Sequence, residues 1–174
     1  LCKNSPVQHG FVRGRLLTDC VWALEQASAL FAVKTSPRAL PAAVLLDIRA
    51  AFRSLCWIFL FVPLEAWGLP TNLVQAIRNM YIGSFANVIF AGKSSDIQIL
   101  FRGGIKQGCP MSASIFALCY DLVLRALRLL GGPDKIRILA YSYDAALVLW
   151  NLEGIIGELA DILVEFGLAS KLWV

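Results

Sequence analysis

Apolar side chains recur along this chain with two different periods, which alternate from one end to the other. Spacings of three and four residues predict amphipathic helices, whereas short apolar runs bounded by turn residues predict strands. Helices are predicted over Asp19–Leu30, over Ser54–Tyr81 with a break at Gly68-Leu69-Pro70, from Pro110 to Leu127, and over Leu152–Phe166. Strands are predicted over Ala42–Leu46, Phe85–Phe90, Ile97–Phe101, Lys135–Tyr141 and Ala145–Trp150. Together these elements predict an α+β fold in one domain.

The composition indicates a large buried core and no membrane segment. Hydrophobic residues make up 58% of the 174 positions, but no uncharged run approaches the roughly 20 apolar residues of a membrane-spanning helix. The five cysteines form no Cys-x-x-Cys pair, so we expect buried free thiols in a reducing compartment. With no signal peptide visible, we expect an intracellular protein, nuclear or cytoplasmic and not secreted. The chain begins at Leu1 rather than at a methionine, so we expect a fragment of a longer protein.

Positive charge is concentrated near the N-terminus. The net charge is +4, and all of it comes from residues 1–53, which hold seven basic and three acidic residues. Gly10 and Gly14 alternate with Arg13 and Arg15 ahead of the first predicted helix. Such a basic loop suits a phosphate group, although a surface loop with Thr18 as the helix N-cap explains the pattern equally well.

A second loop, Arg102-Gly103-Gly104-Ile105-Lys106-Gln107-Gly108-Cys109, precedes the helix predicted from Pro110. Its glycines allow tight turns and a close approach of the backbone to a ligand. Proline suits the first turn of a helix, and Ser112 adds a hydroxyl group there. The residues alone allow either an ordinary helix entry or a loop that presents its backbone to a substrate.

Two aspartates follow or precede predicted strands. Asp47 ends the apolar run from Ala42, and Asp144 lies near the tip of the hairpin predicted around Ser142-Tyr143. An isolated aspartate at a strand end is usually a helix cap or a turn former. Two carboxylates on neighbouring strands would, however, offer the hard oxygen ligands that Mg²⁺ prefers.

Four strings in this order resemble the motifs of reverse transcriptases, especially those of non-LTR retrotransposons and group II introns. They are QHGFVRGR at the N-terminus, Asp47 with Ala51-Phe52, the RGGIKQGCPMS string, and YSYD with its apolar flanks. The resemblance implies a polymerase palm, an antiparallel sheet backed by helices, with partial fingers and no thumb. Residues of about 1–40 would form the partial fingers, and residues of about 41–174 the palm with connecting fingers elements.

The resemblance also implies roles for individual residues. Asp47 and Asp144 would be catalytic residues that bind two Mg²⁺ ions, roughly 3.5–4 Å apart in such sites. Phe52 would screen the 2′ position of the sugar, so that deoxynucleotides are preferred. The partners implied are an RNA template, a DNA primer and dNTP. The residues implied to bind nucleotide or template are Phe52, Gln107, Gly108, Pro110, Ser112, Arg13, Arg15 and Lys171.

The sequence departs from the family pattern at two positions. Arg53 stands where the first motif has a second acid, and Tyr143 stands where the hairpin motif YxDD has its first aspartate. A tyrosine with a pKa near 10 is neutral at pH 7 and cannot replace a bridging carboxylate. We therefore expect a catalytically impaired polymerase domain. Two alternatives are a non-catalytic nucleic-acid-binding module and a retroelement remnant without function.

Overall fold

A computed structural model describes residues 5–33 and 38–174 of the chain. Cys2, Lys3 and Lys34, which entered the expectations on thiols and charge, lie outside the described residues. The helices are α1 (Leu17–Val33), α2 (Ala51–Ser54), α3 (Trp57–Ala66), α4 (Thr71–Tyr81), α5 (Ser112–Arg128) and α6 (Ile156–Ser170). The strands are β1 (Ala42–Asp47), β2 (Phe85–Phe90), β3 (Lys93–Leu100), β4 (Ile136–Tyr141) and β5 (Asp144–Leu149).

Three of these strands form one antiparallel sheet in the order β1-β5-β4. The central strand β5 pairs with β1 along its whole length, from Ala42 opposite Leu149 to Asp47 opposite Asp144. It pairs with β4 from Ile136 opposite Leu149 to Tyr141 opposite Asp144. Successive side chains alternate between the two faces of a sheet, so the residues of β5 lie alternately on one face and on the other.

Both faces of the sheet are covered, which explains the nearly continuous apolar sequence of β5. On one face, Leu147 and Leu149 join the main core together with Phe116 and Leu124 of α5. On the other face, Val148 packs against Ala27 and Phe31 of α1. Asp144 is four residues from Val148 and so shares its face of the sheet, and α5 therefore packs on the face opposite to the two aspartates.

The second sheet consists of β2 and β3 alone. Their turn, Ala91-Gly92, has positive φ at both residues, 48° and 76°, as a two-residue hairpin turn of the I′ type requires. Large apolar side chains on both strands remain exposed, among them Phe85, Ile89, Phe90, Ile97 and Leu100.

Several element boundaries differ from the sequence expectations for local reasons. Helix α5 begins at Ser112 and not at Pro110, because the Ser112 N–H closes a turn on the Cys109 carbonyl at 3.0 Å. Helix α6 begins at Ile156, four residues late, because the Ile155 N–H closes a turn on Leu152. Helix α1 already begins at Leu17, and the Asp19 carboxylate accepts the Leu16 N–H at 3.1 Å. Thr18 therefore lies inside the helix and is not its N-cap.

The described cysteines are all free thiols, and they differ in burial. Cys20 and Cys119 are buried free thiols, whereas Cys56 and Cys109 are free but only half-buried. Among the described residues, no helix has the length and apolar character needed to cross a membrane.

Candidate active site

Asp47 and Asp144 meet at one end of the three-stranded sheet. They are direct register partners, Asp47 as the last residue of β1 and Asp144 as the first residue of β5. Directly opposed residues of antiparallel strands have Cβ atoms about 4.5–5.5 Å apart. The two strands are therefore neighbours in one sheet, and the two aspartates occupy directly opposed backbone positions.

The two carboxylates influence each other electrostatically. Burial raises the pKa of Asp144 above its ordinary value, and the negative charge of Asp47 raises it further. The hydroxyl of Tyr120, on α5, is buried and has no hydrogen-bond partner among the described residues. Burial, and then the charges of Asp144 and Asp47, raise the pKa of Tyr120. A cation between the carboxylates would relieve this concentration of negative charge.

Tyr143, at the tip of the β4–β5 hairpin, belongs to an aromatic cluster beside the aspartates. We define this cluster as Phe52, Phe116, Tyr120 and Tyr143. The Tyr143 ring meets Phe52 edge-on at 6.1 Å between centroids and Phe116 edge-on at 6.4 Å. Phe52 and Phe116 lie 5.0 Å apart, and Phe116 stacks on Tyr120 at 6.0 Å. The residue that stands in place of an expected aspartate is therefore a packed aromatic side chain.

The loop that carries Gln107 is fastened to the segment that carries Phe52. The Ile105 N–H donates to the Phe52 carbonyl at 2.5 Å, and the Gly104 N–H donates to the Leu55 carbonyl at 2.8 Å. Gly104 has φ +80°, and a Cβ there would lie 2.8 Å from the Arg53 carbonyl oxygen. A residue other than glycine would thus separate the loop from Phe52.

Within this loop, the residues expected to contact nucleotide differ in exposure. Gln107, Gly108 and Pro110 are exposed, and Gly108 has φ +86°. Ser112 is buried, and its hydroxyl donates to the Lys106 carbonyl at 2.5 Å. The structure thus leaves the first three free to meet a ligand, whereas Ser112 fixes the shape of the loop.

The three expected basic contacts have different surroundings. Arg13 is exposed. The Arg15 guanidinium instead donates to the carbonyls of Ser5, at 2.7 Å, and of Gln8. Lys171 is exposed and ends α6 with φ +65°. It precedes Trp173, whose carbonyl accepts the Arg49 N–H at 2.8 Å, so Lys171 lies near the chain that follows Asp47.

The residues that reasoning from the sequence missed are those that hold the hairpin turn. Gln8 is fully buried, and its side-chain amide bonds both backbone groups of Ser142. A Cβ on Gly10 would lie 2.0 Å from the Ser142 nitrogen. Both residues belong to the QHGF string, so the resemblance marked the segment without indicating what it contacts.

Comparison with known proteins agrees with this geometry. A family described as "Reverse transcriptase (RNA-dependent DNA polymerase)" matches residues 2–172. The chain belongs to the reverse transcriptase family. The resemblance expected from the four sequence motifs is confirmed.

Relatives of this reverse transcriptase chain occur in retrotransposons. The "Retrovirus-related Pol polyprotein from type-1 retrotransposable element R2" of Bradysia coprophila is 30% identical over 131 residues. These residues are 71% of this chain but 15% of that polyprotein. The corresponding polyprotein of element R2DM from Drosophila melanogaster is 37% identical over 82 residues, 47% of this chain and 8% of its own length. The similarity indicates a reverse transcriptase domain of the non-LTR type.

Solved telomerase structures share the fold at low sequence identity. Apo telomerase from Candida tropicalis, truncated from its C-terminal domain, superposes with a TM-score of 0.68 at 12% identity. The match covers 95% of this chain and 34% of that one. Telomerase from Candida albicans, in complex with a fragment of telomeric RNA, gives a TM-score of 0.68 at 13% identity, covering 91% and 29%. The expected palm-type α+β fold is confirmed.

Reverse transcriptases use divalent metal ions, for which carboxylate oxygens are suitable ligands. Among the described residues, no group of three or more His, Cys, Asp and Glu side chains could hold a metal ion. Mg²⁺ is nevertheless commonly bound by one or two carboxylates together with water and substrate phosphates. The opposed pair Asp47 and Asp144 fits that mode.

Proposed function

We propose that this reverse transcriptase domain performs RNA-directed DNA synthesis at the Asp47–Asp144 pair, at a rate greatly reduced by Tyr143. The observation that carries the proposal is the direct opposition of the two carboxylates on β1 and β5. Two Mg²⁺ ions, when bound, would activate the primer hydroxyl and neutralise the leaving pyrophosphate. With Tyr143 in place of a third carboxylate, we expect a rate loss of at least about 10²–10³, the loss typical for one well-placed electrostatic group.

The proposal assigns a role to each of the other site residues. Phe52, held by Phe116 and Tyr143, would bound the space beside the sugar of the incoming dNTP. Gln107, Gly108 and Pro110 would contact nucleotide or template, and Ser112 would shape their loop. Arg13 and Lys171 would contact phosphates, whereas Arg15 would act through the backbone that it holds. RNA template, DNA primer and dNTP are the proposed partners.

We further propose a division of the chain into fingers and palm, and a location inside the cell. Residues of about 1–40 would be partial fingers, and residues of about 41–174 the palm with connecting elements. Synthesis from RNA templates would take place inside the cell, in the nucleus or the cytoplasm.

The decisive test restores the missing carboxylate. The chain spans 15% of the Bradysia coprophila polyprotein that it matches. In the test, the matching segment of that polyprotein is therefore replaced by this chain, and primer extension on an RNA template is measured. Tyr143→Asp is expected to raise Mg²⁺-dependent extension by about 10²-fold or more, and adding Asp47→Asn should abolish it. Tyr143→Phe, which keeps the ring and adds no carboxylate, is the matched control and should stay at the parent rate.

The packing of Tyr143 favours a second candidate function, a nucleic-acid-binding module without catalysis. Its ring packs edge-on against Phe52 and Phe116, and these contacts hold the hairpin tip without a bound metal ion. Under this alternative, Tyr143→Asp remains silent although the folded protein binds primer–template. A folded chain that neither binds nucleic acid nor extends primers in either form would indicate a remnant without function.

Nucleic-acid binding is tested separately through salt dependence. Each lost phosphate contact should reduce the slope of log affinity against log salt by about one unit. Arg13→Ala is expected to flatten the slope, while Arg128→Ala, at the far end of α5, serves as the exposed control. Arg15→Ala should flatten it only if its bonds to Ser5 and Gln8 open on binding. An unchanged slope for Arg13→Ala would remove that residue from the interface.

A further inference from the structure

The turn of the β4–β5 hairpin is held by one buried side chain from the N-terminal segment. The Gln8 amide nitrogen donates to the Ser142 carbonyl at 2.9 Å, and its amide oxygen accepts the Ser142 N–H at 3.0 Å. The same oxygen accepts the Gly10 N–H at 2.8 Å. Gln8 therefore satisfies both backbone groups of Ser142, much as a neighbouring strand would.

The segment around Gln8 is itself fixed to the palm. Gln8 forms a parallel bridge with Ala140, where the His9 N–H donates to the Ala140 carbonyl at 2.7 Å and the Ala140 N–H donates to Val7 at 2.9 Å. Upstream, the Ser5 N–H donates to the buried carboxylate of Asp121 on α5 at 2.6 Å. These contacts give Gln8 a defined position relative to both the sheet and α5.

Gly10 completes the contact with the turn. Its backbone lies so close to Ser142 that an added Cβ would meet the Ser142 nitrogen at 2.0 Å and the Ser142 Cα at 2.6 Å. The Arg15 guanidinium donates to the carbonyl of Gln8 and to that of Ser5. The N-terminal segment thus packs directly against the turn.

Ser142 needs this support because of its backbone conformation. Its φ is +62°, in the left-handed region that residues with a side chain rarely adopt and that persists when surrounding structure holds it. Only Tyr143 separates it from Asp144, so a change in the turn alters where β5 begins. Since Asp47 ends the neighbouring strand, the separation of the two carboxylates depends on this turn.

We propose that Gln8 is a positioning residue, which holds the Ser142 turn and thereby sets Asp144 opposite Asp47. This inference rests on the proposed function of the aspartate pair as a metal-binding site. Gln8 touches no reacting group and acts only through the hairpin. The basic QHGFVRGR string would then support the hairpin that carries Asp144, in addition to any contact of Arg13 with phosphate.

The test removes the amide while keeping the length of the side chain. Gln8→Met in the full chain eliminates all three hydrogen bonds, and Gln98→Met, on the exposed strand β3, is the matched control. Backbone amide exchange at Asp144 and Mn²⁺-induced broadening of the Asp47 and Asp144 amide resonances are the two readouts. For Gln8→Met we expect exchange at Asp144 about five- to a hundredfold faster and Mn²⁺ binding about 10–100-fold weaker.

The outcomes separate this inference from the proposed function. Faster exchange confined to Ser142, with Asp144 and Mn²⁺ binding unchanged, would show that Gln8 bonds the turn without positioning the carboxylate. If the parent chain binds no Mn²⁺ while Gln8→Met still loosens Asp144, the metal site fails and the positioning role stands.

A second variant covers loss of folding. Gln8→Glu keeps the acceptor for the N–H groups of Ser142 and Gly10 but, when ionised, cannot donate to the Ser142 carbonyl. If Gln8→Met unfolds, Gln8→Glu is expected to fold at low pH, where its protonated acid can donate to the Ser142 carbonyl, and to show faster Asp144 exchange than the parent as the acid ionises towards pH 7. Exchange at Asp144 equal to that of the parent at both pH values would overturn the proposal.

Discussion

The chain builds two antiparallel hairpins from the same local elements and uses them differently. Hairpin β2–β3 turns at Ala91-Gly92, with φ 48° and 76°, and hairpin β4–β5 turns at Ser142-Tyr143, with φ 62° at Ser142. Each has strands of six to eight residues with strongly apolar positions. Both hairpins therefore have two-residue turns, so the length of the turn does not distinguish them.

Tertiary contacts distinguish the two hairpins completely. Leu147 in the centre of β5 is 0% exposed, between Val44 of β1 and Ile138 of β4. Phe90 at the end of β2 is 81% exposed, and β2 and β3 pair only with each other. A hairpin alone is marginally stable in water. Burial against β1 and the core, and not the strands themselves, therefore separates the β4–β5 hairpin from the exposed β2–β3 hairpin.

Core truncation should separate the two hairpins most strongly. Leu147→Ala is expected to lower the free energy of unfolding by about 2–5 kcal/mol, because it leaves a cavity between α5 and the sheet. Leu100→Ala, the matched change on exposed β3, should cost less than about 1 kcal/mol. Urea unfolding of both variants checks this. Equal losses would mean that β2–β3 is buried in solution.

Glycine substitution near the two turns should give the next largest difference. Gly10→Ala should cost about 1–3 kcal/mol, at the upper end of that range, because its Cβ would overlap the backbone of Ser142. Gly92→Ala has open space around it and φ +76°, so only backbone strain of about 1–2 kcal/mol is expected. The Asp144 amide resonance should move in the first variant and remain unchanged in the second, which serves as the control.

Removal of one exposed aromatic ring from each hairpin should give a smaller contrast. Tyr143→Ala loses two edge-on contacts, with Phe52 and Phe116, at an expected cost of about 0.5–1.5 kcal/mol. Phe90→Ala should change stability by no more than about 0.5 kcal/mol. Thermal unfolding measures both. A neutral Tyr143→Ala would contradict a stabilising role for the aromatic cluster at the hairpin tip.

The smallest effect concerns the charge of the aspartate pair and depends on pH. The folded protein raises the pKa of Asp144, through burial and the charge of Asp47. The folded state therefore holds this proton more tightly than the unfolded state, and stability falls as pH rises above the ordinary carboxyl value of about 4. Asp144→Asn should stabilise the apo protein at pH 7 by about 0.2–1 kcal/mol, the range for opposed charged pairs.

Repeating the stability measurement of Asp144→Asn at low pH tests whether its effect comes from charge. Below about pH 4, Asp144 is protonated in both states, so the advantage of Asp144→Asn should disappear. Asp96→Asn, an exposed change on β3, is the control and should show no such pH-dependent difference. A gain from Asp144→Asn that persists at pH 3.5 would assign the effect to packing and not to charge.

The sequence determined the features that depend on neighbours along the chain. Strand β1 ends at Asp47 as its apolar run predicted, and the β4–β5 hairpin turns at Ser142-Tyr143, as expected around Asp144. Gly68, two residues after the end of α3, has φ +70°, in line with its position before Leu69-Pro70. These outcomes follow from hydrophobic period and turn chemistry, which act over a few residues. The family resemblance added the order of the motifs.

Tertiary structure alone decided which of these residues meet. Arg13 and Arg15 are only two positions apart in the sequence, yet Arg13 is exposed whereas the Arg15 guanidinium donates to the carbonyls of Ser5 and Gln8. Gln8 lies 134 positions from Ser142 and still bonds both of its backbone groups. Such contacts arise because buried polar groups must find partners, and those partners come from whichever segments packing brings together. The sequence therefore indicated most strands and turns, although β3 begins at Lys93 and not at Ile97. The packing of the N-terminal segment against the hairpin decided how Asp144 is held.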